Sequence, residues 1–212
     1  MAVWLLLLVC FIALAVRAAT GGILQADVSI ALIVQDLPDV MFAFDNWLGG
    51  SIPLGLTAFT LVLWLLLRRC PEGAVLMALT YVPRFANGFV KQLVSEPRPD
   101  ANLVYVGYPH DNLSFPSGHV VGITLIFVLA FVFAPRMSGS SLVVAGIRIF
   151  CVVVVGSVGL ARVWLGAHWP SDALGGYIYA ALFLLPALMW VHGRAVGAQH
   201  AEPLRPARYL WP

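Results

Sequence analysis

Charged side chains are scarce in this sequence: only 10% of its 212 residues are Asp, Glu, Lys or Arg, whereas 61% are hydrophobic. Soluble globular domains usually carry about 25% charged residues, so this composition excludes an ordinary soluble protein. The formal net charge is only +2, which gives no reason to expect a nucleic-acid partner.

Cysteine is also rare. Cys10, Cys70 and Cys151 are odd in number and widely separated, so their spacing fits neither a disulfide framework nor a metal site. We interpret them as packing residues and expect no metal or other cofactor.

The apolar residues are grouped in long runs. A helix needs about 20 apolar residues to cross the hydrocarbon core of a bilayer. We predict six spans, at about 2–19, 51–67, 74–94, 119–135, 142–160 and 173–191. The first run lacks the basic segment of a signal peptide, so we interpret it as a retained helix. The stretch 23–34 is too polar for a span and is predicted to lie as an amphipathic helix in the membrane interface.

The predicted fold is therefore all-α: a polytopic membrane protein of six transmembrane helices that forms a single domain over 1–212. Its core covers about 74–191. The tail 192–212 is polar, basic and contains proline, so we expect it to be mobile and cytoplasmic.

Basic residues are unevenly distributed between the predicted loops, and the positive-inside rule places basic loops in the cytoplasm. With a cytoplasmic N-terminus, the inner loops and tail carry Arg68, Arg69, Arg136, Arg194, Arg205 and Arg208. The outer segments carry Arg17, Lys91, Arg98 and Arg162. We therefore predict a protein of the cell (inner) membrane with both termini in the cytoplasm and its outer loops in the periplasm or exterior.

Three polar clusters fall on this predicted outer face, and together they suit a phosphate group. They run from Lys91 to Pro99, from Ser114 to His119, and from Arg162 to Asp172. Phosphoryl transfer needs cations around the phosphate oxygens, a nucleophile in line with the leaving group, and an acid for the leaving oxygen.

The first of these requirements has clear candidates. Lys91, Arg98 and Arg162 supply the cations, and the planar guanidinium of arginine suits phosphate oxygens. Backbone amides at Ser117 and Gly118, where a helix is predicted to begin, add an anion nest.

Two histidines can supply the nucleophile and the acid. His168 and Asp172 are four residues apart, so they face each other if the backbone between them is helical. A carboxylate that accepts a hydrogen bond from one imidazole nitrogen leaves the other nitrogen free to attack. His119 adds a second imidazole.

The order K-x(6)-R-P, P-S-G-H and R-x(5)-H-x(3)-D resembles the three-part signature of the type 2 phosphatidic acid phosphatase family. That family is related to acid phosphatases and vanadium haloperoxidases, which share its helical core. The resemblance implies a metal-independent lipid phosphatase in which His168 becomes a phosphohistidine, Asp172 orients it, and His119 protonates the leaving oxygen. The phosphoryl oxygens would be held by Lys91, Arg98, Ser117, Gly118 and Arg162.

One position departs from the family pattern. The third motif usually begins Ser-Arg, and here Ala161 precedes Arg162. One hydroxyl hydrogen bond, typically worth about 0.5–1.5 kcal/mol, is therefore absent. The nucleophile, the acid and the cations stay in place.

The motifs leave the substrate open between a polyprenyl (undecaprenyl-type) diphosphate and a glycerolipid phosphate such as phosphatidate or phosphatidylglycerophosphate. Two other functions also stay open: a phosphotransferase that uses an acceptor other than water, and a non-enzymatic lipid or ion transporter. The expected partners are the lipid substrate and membrane lipids, and the oligomeric state is unknown.

Arg84 lies seven residues before Lys91, two helical turns down the same face and about 10 Å deeper. An arginine inside the membrane usually faces a cavity or a partner. A structural role and a substrate contact are both open for it.

Overall fold

The structure is a computed structural model that describes residues 1–21, 23–38, 43–107 and 112–201. The regular structure of these ranges is α-helical and includes no β-strand, as the sequence predicts. The helices are α1 (Ala2–Thr20), α2 (Gln25–Gln35), α3 (Ala43–Leu48), α4 (Ser51–Leu67), α5 (Pro71–Leu79), α6 (Tyr81–Val94), α7 (Gly118–Met137), α8 (Ser141–Trp164) and α9 (Pro170–Ala201).

Four of the described helices are long and apolar enough to cross a membrane: α1, α7, α8 and the Pro170–Arg194 part of α9. Helix α4 is apolar but has only 17 residues. Large apolar side chains such as Leu142, Ile149 and Val152 of α8 are exposed, as expected for a surface that faces lipid. The chain is a membrane-type helical protein, and the count of six spans stays a prediction.

The third predicted span, 74–94, is wrong as a single helix. The chain forms α5 and α6 instead, with Thr80 between them. Pro83, in the first turn of α6, has no amide hydrogen to donate to the carbonyl of Leu79, and its ring would clash with that carbonyl in a continuous helix. The Thr80 hydroxyl donates to the Met77 carbonyl oxygen at 2.7 Å, where α5 ends.

Helix α7 lies at the centre of the bundle. It packs against α4, α5, α6, α8 and α9, and its apolar residues are largely buried. A helix that is surrounded in this way is apolar around its whole circumference. The central position of α7 delivers its first residues, Gly118 and His119, to the middle of one end of the bundle.

Helix α1 packs against this core. Trp4 Nε1 donates to the carbonyl oxygen of Leu182 in α9 at 2.8 Å. The ring of Phe11 packs against the rings of Phe115 and Tyr179, with centroid distances of 5.5 and 5.4 Å. The first predicted helix is therefore part of the folded bundle.

The segments at either end of the bundle differ in part from prediction. The amphipathic stretch 23–34 forms α2, whose Asp27 accepts hydrogen bonds from the amide and hydroxyl of Ser171. Helix α9 continues to Ala201, so residues 192–201 of the predicted tail are helical, and the mobility predicted for them stays a prediction. The rest of that predicted tail, 202–212, lies outside the described residues.

Candidate active site

His168 and Asp172 contact each other where α8 gives way to α9. His168 Nδ1 lies 3.3 Å from Asp172 Oδ2, and both side chains are buried. His168 lies in the loop before α9, whereas Asp172 is in the first turn of that helix, so the pair does not share a helix as the spacing suggested. Asp172 Oδ2 also accepts the Trp169 amide at 2.8 Å, a contact of the capping-box type. The start of α9 therefore holds the carboxylate beside the imidazole.

The loop 165–169 has its shape because of Gly166. This residue has φ +64°, a conformation that glycine adopts at little cost. A Cβ here would lie 1.8 Å from the Tyr105 carbonyl oxygen. Beyond the turn, the amides of Ala167 and His168 donate to the Arg162 carbonyl oxygen at 3.1 and 3.2 Å. The loop thus folds back on the end of α8 and orients His168.

Arg98 contacts the second imidazole nitrogen. Its Nη1 lies 3.0 Å from His168 Nε2 and also donates to the Ala167 carbonyl oxygen. A guanidinium can only donate, so Nε2 accepts and the ring proton is assigned to Nδ1, facing Asp172. This tautomer leaves the Nε2 lone pair for nucleophilic attack. Asn112 accepts hydrogen bonds from Arg98 Nε and Nη2 and orients the guanidinium.

Lys91 and His168 meet at Ser114. Lys91 Nζ donates to the carbonyl oxygens of Leu113 and Ser114 at 2.7 and 2.6 Å. The Ser114 hydroxyl lies 3.3 Å from His168 Nδ1 and donates to Asp172 Oδ2. Ser114 begins the second polar cluster of the sequence, but nothing in the sequence indicated its contact with the histidine–aspartate pair.

Arg162 is buried beside the same loop. Its Nη1 donates to Asn46 Oδ1 at 2.8 Å, and its Nε has no hydrogen-bond partner within the part of the chain that the structure describes. Asn46 lies in α3, far from the three motifs in sequence, and no pattern in the sequence pointed to it.

The start of α7 places His119 near enough to His168 for its charge to lower the pKa of that histidine, after the larger effects of burial and of Arg98, Lys91 and Arg162. A Cβ on Gly49 would lie 2.2 Å from His119 Cδ2, so the ring packs where α3 meets α4. The Ser117 amide, predicted to bind phosphate, donates instead to the Asp172 carbonyl oxygen at 3.1 Å. The predicted anion nest therefore loses that amide and keeps the amide of Gly118, in the first turn of α7.

Electrostatics favour a neutral His168. Burial is the largest cause that lowers the pKa of His168 well below its ordinary 6.5, and the charges of Arg98, Lys91, Arg162 and His119 lower it further. A neutral imidazole has the lone pair that a nucleophile requires.

Glu96 is a further titratable group at this site, and no pattern in the sequence predicted a role for it. Burial is the largest cause that raises its pKa from 4.5 to about 9, followed by the hydrogen bond with Asp172 and the negative charge of Asp172. Glu96 is therefore a neutral acid near pH 7.

The predicted site residues thus lie around His168, with Arg84 apart from them and deeper on α6. Arg84 Nε lies 3.2 Å from the position that a Cβ on Gly122 would occupy. Within the described ranges, no group of three or more His, Cys, Asp or Glu residues could hold a metal ion.

A buried histidine–aspartate pair, a second histidine and several cations at one end of a helical membrane bundle have the chemistry that phosphoryl transfer needs. The family model of the PAP2 superfamily matches residues 72–195, and the chain belongs to this superfamily. It is a membrane phosphatase, that is, a phosphate hydrolase, as the three motifs predict.

Two curated relatives come from Bacillus subtilis (strain 168). Phosphatidylglycerophosphatase B is 28% identical over 181 residues, which cover 79% of this chain and 84% of the relative. Undecaprenyl-diphosphatase BcrC is 34% identical over 98 residues, which cover 45% of this chain and 46% of the relative.

A solved structure has the same fold. The crystal structure of a transmembrane PAP2-type phosphatidylglycerolphosphate phosphatase from Bacillus subtilis superposes with a TM-score of 0.75. The superposition covers 98% of this chain and 100% of that chain, at 22% sequence identity. The likeness therefore extends to the N-terminal helices that the family model does not match.

Proposed function

We propose that this protein hydrolyses the terminal phosphate of a lipid phosphate, either a glycerolipid phosphate such as phosphatidylglycerophosphate or a polyprenyl diphosphate. The names of the two curated relatives support these two substrate classes. The observation that carries the mechanism is the position of His168, with Nδ1 facing Asp172 and Nε2 facing Arg98.

In the first step, His168 Nε2 attacks phosphorus, a P–N bond forms, and the P–O bond to the leaving group breaks. His119 gives a proton to the leaving oxygen. Arg98 Nη1 must first leave Nε2, and it does so because a negatively charged phosphate oxygen is the stronger acceptor. Charge that develops on the phosphoryl oxygens is stabilised by Lys91, Arg98, Arg162 and the Gly118 amide.

In the second step, water attacks the phosphohistidine, a P–O bond forms and the P–N bond breaks. His119, which lost its proton in the first step, accepts a proton from the attacking water. Asp172 holds the Nδ1 proton of His168 in both steps, so the ring returns to the same tautomer. The products are inorganic phosphate and a lipid with one phosphate fewer.

We further propose that the chain is one domain with six spans, in which α4 and the α5–α6 pair also cross the membrane. The distribution of arginine supports cytoplasmic termini and a site at the outer face. A lipid substrate would then enter from the outer leaflet.

Phosphate release from purified protein tests this function, with phosphatidylglycerophosphate, undecaprenyl diphosphate and phosphatidate compared. His168→Ala is expected to abolish turnover without changing the melting temperature in detergent. Substrate labelled at the terminal phosphate should leave label on wild-type protein after an alkaline quench, because phosphohistidine survives base and is labile in acid. A chelator should leave the rate unchanged.

Other outcomes identify the alternatives. Turnover retained in His168→Ala would refute the nucleophile, and a rate restored by added magnesium would refute metal independence. Label transferred to another molecule would indicate a phosphotransferase. Lipid or ion movement without phosphate release would indicate a transporter.

A further inference from the structure

Helix α6 presents three polar side chains to α7 at intervals of one turn. Arg84, Asn87 and Lys91 are three and four residues apart, so they lie on one face of the helix. Opposite them, α7 has Gly118 and Gly122. A Cβ on Gly118 would lie 3.4 Å from Asn87 Nδ2, and one on Gly122 would lie 3.2 Å from Arg84 Nε. Asn87 is therefore level with Gly118, and Arg84 is level with Gly122, one turn deeper.

Polar atoms along this row lack hydrogen-bond partners. Arg84 Nη1, Asn87 Oδ1 and Ser117 Oγ are all buried, and none has a partner within the ranges that the structure describes. Buried polar groups in folded proteins are almost always paired, with protein, water or ligand. Arg84 Nη1 therefore calls for an acceptor, such as a phosphate oxygen, and Asn87 Oδ1 for a donor, such as water.

Packing alone does not satisfy Arg84. Its guanidinium lies 5.1 Å from the centroid of the Tyr81 ring, and no carboxylate within the described ranges forms a salt bridge with it. Arg148 of α8 offers a comparison, because its guanidinium lies 5.1 Å from the Phe131 ring and its Nε donates to the Phe131 carbonyl oxygen. Arg84 thus keeps a buried donor, Nη1, that no group within the described ranges accepts from, on the helix face that also carries Asn87 and Lys91.

We propose that Arg84 binds a second phosphate group of the substrate, the one between the cleaved phosphate and the lipid chain. This inference rests on the proposed function. With the cleaved phosphate at His168 and the chain descending into the bilayer, a second phosphate lies deeper along α6. Phosphatidylglycerophosphate and polyprenyl diphosphates carry such a group, and phosphatidate does not.

The depth of Arg84 favours a particular spacing of the two phosphates. Gly122 lies four residues, or about 6 Å along the axis, below Gly118. Two phosphorus atoms joined by a single oxygen are closer together than this distance, whereas a glycerol bridge separates them further. We therefore expect the largest effect of Arg84 with phosphatidylglycerophosphate.

Steady-state kinetics on wild type, Arg84→Met, Arg84→Lys and the matched control Arg148→Met test the proposal. With Arg84→Met, kcat/KM for phosphatidylglycerophosphate should fall about 10- to 100-fold, the range for a lost charge-assisted hydrogen bond. The kcat/KM for phosphatidate should change by less than about 3-fold, because phosphatidate lacks the second phosphate group. Arg84→Lys should recover part of the loss, and Arg148→Met should match wild type on both lipids.

The remaining outcomes overturn the proposal in different ways. An equal loss of kcat/KM for both lipids would assign Arg84 a structural role. No loss of kcat/KM for either lipid would show that Arg84 does not contact the substrate. A changed inhibition constant for inorganic phosphate, measured with phosphatidate as substrate, would mean that Arg84 holds the released product instead. If Arg84→Met fails to fold, Arg84→Lys takes its place. A larger loss of kcat/KM for phosphatidylglycerophosphate than for phosphatidate then supports the proposal, and equal losses contradict it. A wild type that releases phosphate from no lipid would overturn the proposed function itself.

Discussion

At the scale of single residues, the site depends on Asp172. Its Oδ2 accepts hydrogen bonds from the Trp169 amide and the Ser114 hydroxyl, and it faces His168 Nδ1. Glu96 lies beside the same aspartate: after burial, the nearby Asp172 is the main cause that raises the pKa of Glu96. A neutral Glu96 can donate to Asp172, whereas an ionised Glu96 would place two negative charges side by side. The proton on Glu96 therefore helps to keep the aspartate available to His168.

We expect Glu96 to make the stability of the protein fall as the pH rises. Its folded pKa of about 9 exceeds the ordinary 4.5, so the folded chain binds this proton more tightly than the unfolded chain. The stability that the proton contributes is complete below about pH 4.5 and is lost as the pH rises through about 9. Asp27 of α2 also raises this pKa and Lys91 of α6 opposes the rise. Melting temperatures in detergent between about pH 5 and 9 measure the slope.

Glu96→Gln should remove most of this slope, because an amide cannot ionise but can still donate to Asp172. Glu72→Gln, in the first turn of α5, is the matched control and should keep the wild-type slope. A slope that is the same in Glu96→Gln as in wild type would contradict the role of this proton.

Residue-level prediction succeeds where the partners are close in sequence or belong to a motif. The contact between His168 and Asp172 was predicted from their spacing, although the backbone that produces it is a loop and a capped helix start. Asn46, which contacts Arg162 from α3, could not be predicted, because the contact depends on how distant helices pack. The Ser117 amide was predicted to bind phosphate because of its place in the second motif. In the folded chain it donates to the Asp172 carbonyl oxygen instead.

At the scale of elements, the loop 165–169 decides where His168 lies. Gly166→Ala should disturb it for two reasons: a left-handed conformation costs a residue with a Cβ about 1–2 kcal/mol, and that Cβ would overlap the Tyr105 carbonyl oxygen. We expect a lower melting temperature and at least about a tenfold loss of kcat/KM, about 1.4 kcal/mol or more.

Gly146→Ala is the matched control, because it lies within α8 and a Cβ there would meet nothing within 4 Å. Its phosphate release and melting temperature should equal or exceed those of wild type, since alanine favours a helix more than glycine does. Normal activity in Gly166→Ala would show that the loop tolerates another conformation.

Helix positions follow hydropathy closely where a run is uninterrupted. The predicted span 51–67 has the bounds of α4, and α7 begins one residue before His119. The break at Thr80 was missed because the run 74–94 was taken as one apolar span, although Pro83 interrupts its hydrogen bonding. The extension of α9 past Val191 was missed because polar composition was taken as evidence against a helix.

At the scale of the whole molecule, the two ends of the bundle have different chemistry. The end of α6 and the starts of α7 and α9 form the site, whereas the end of α4 and the end of α7 meet at the opposite side. There, Arg68 Nε donates to the Arg136 carbonyl oxygen at 3.1 Å, and Trp64 Nε1 donates to the Met137 carbonyl oxygen at 3.1 Å. Because more of the arginines outside the site lie at this second end than at the first, where Arg17 lies, the positive-inside rule predicts that the second end faces the cytoplasm.

Labelling of single cysteines in intact cells tests this orientation. Cys70 and Cys151 are buried, so replacing the exposed Cys10 by alanine gives a suitable background. Ala101→Cys, in the exposed segment between α6 and α7, should react with a membrane-impermeant maleimide. Gly139→Cys, in the exposed turn between α7 and α8, should react only after the cells are opened. The reverse pattern would place the site in the cytoplasm, and the lipid would then have to come from the inner leaflet.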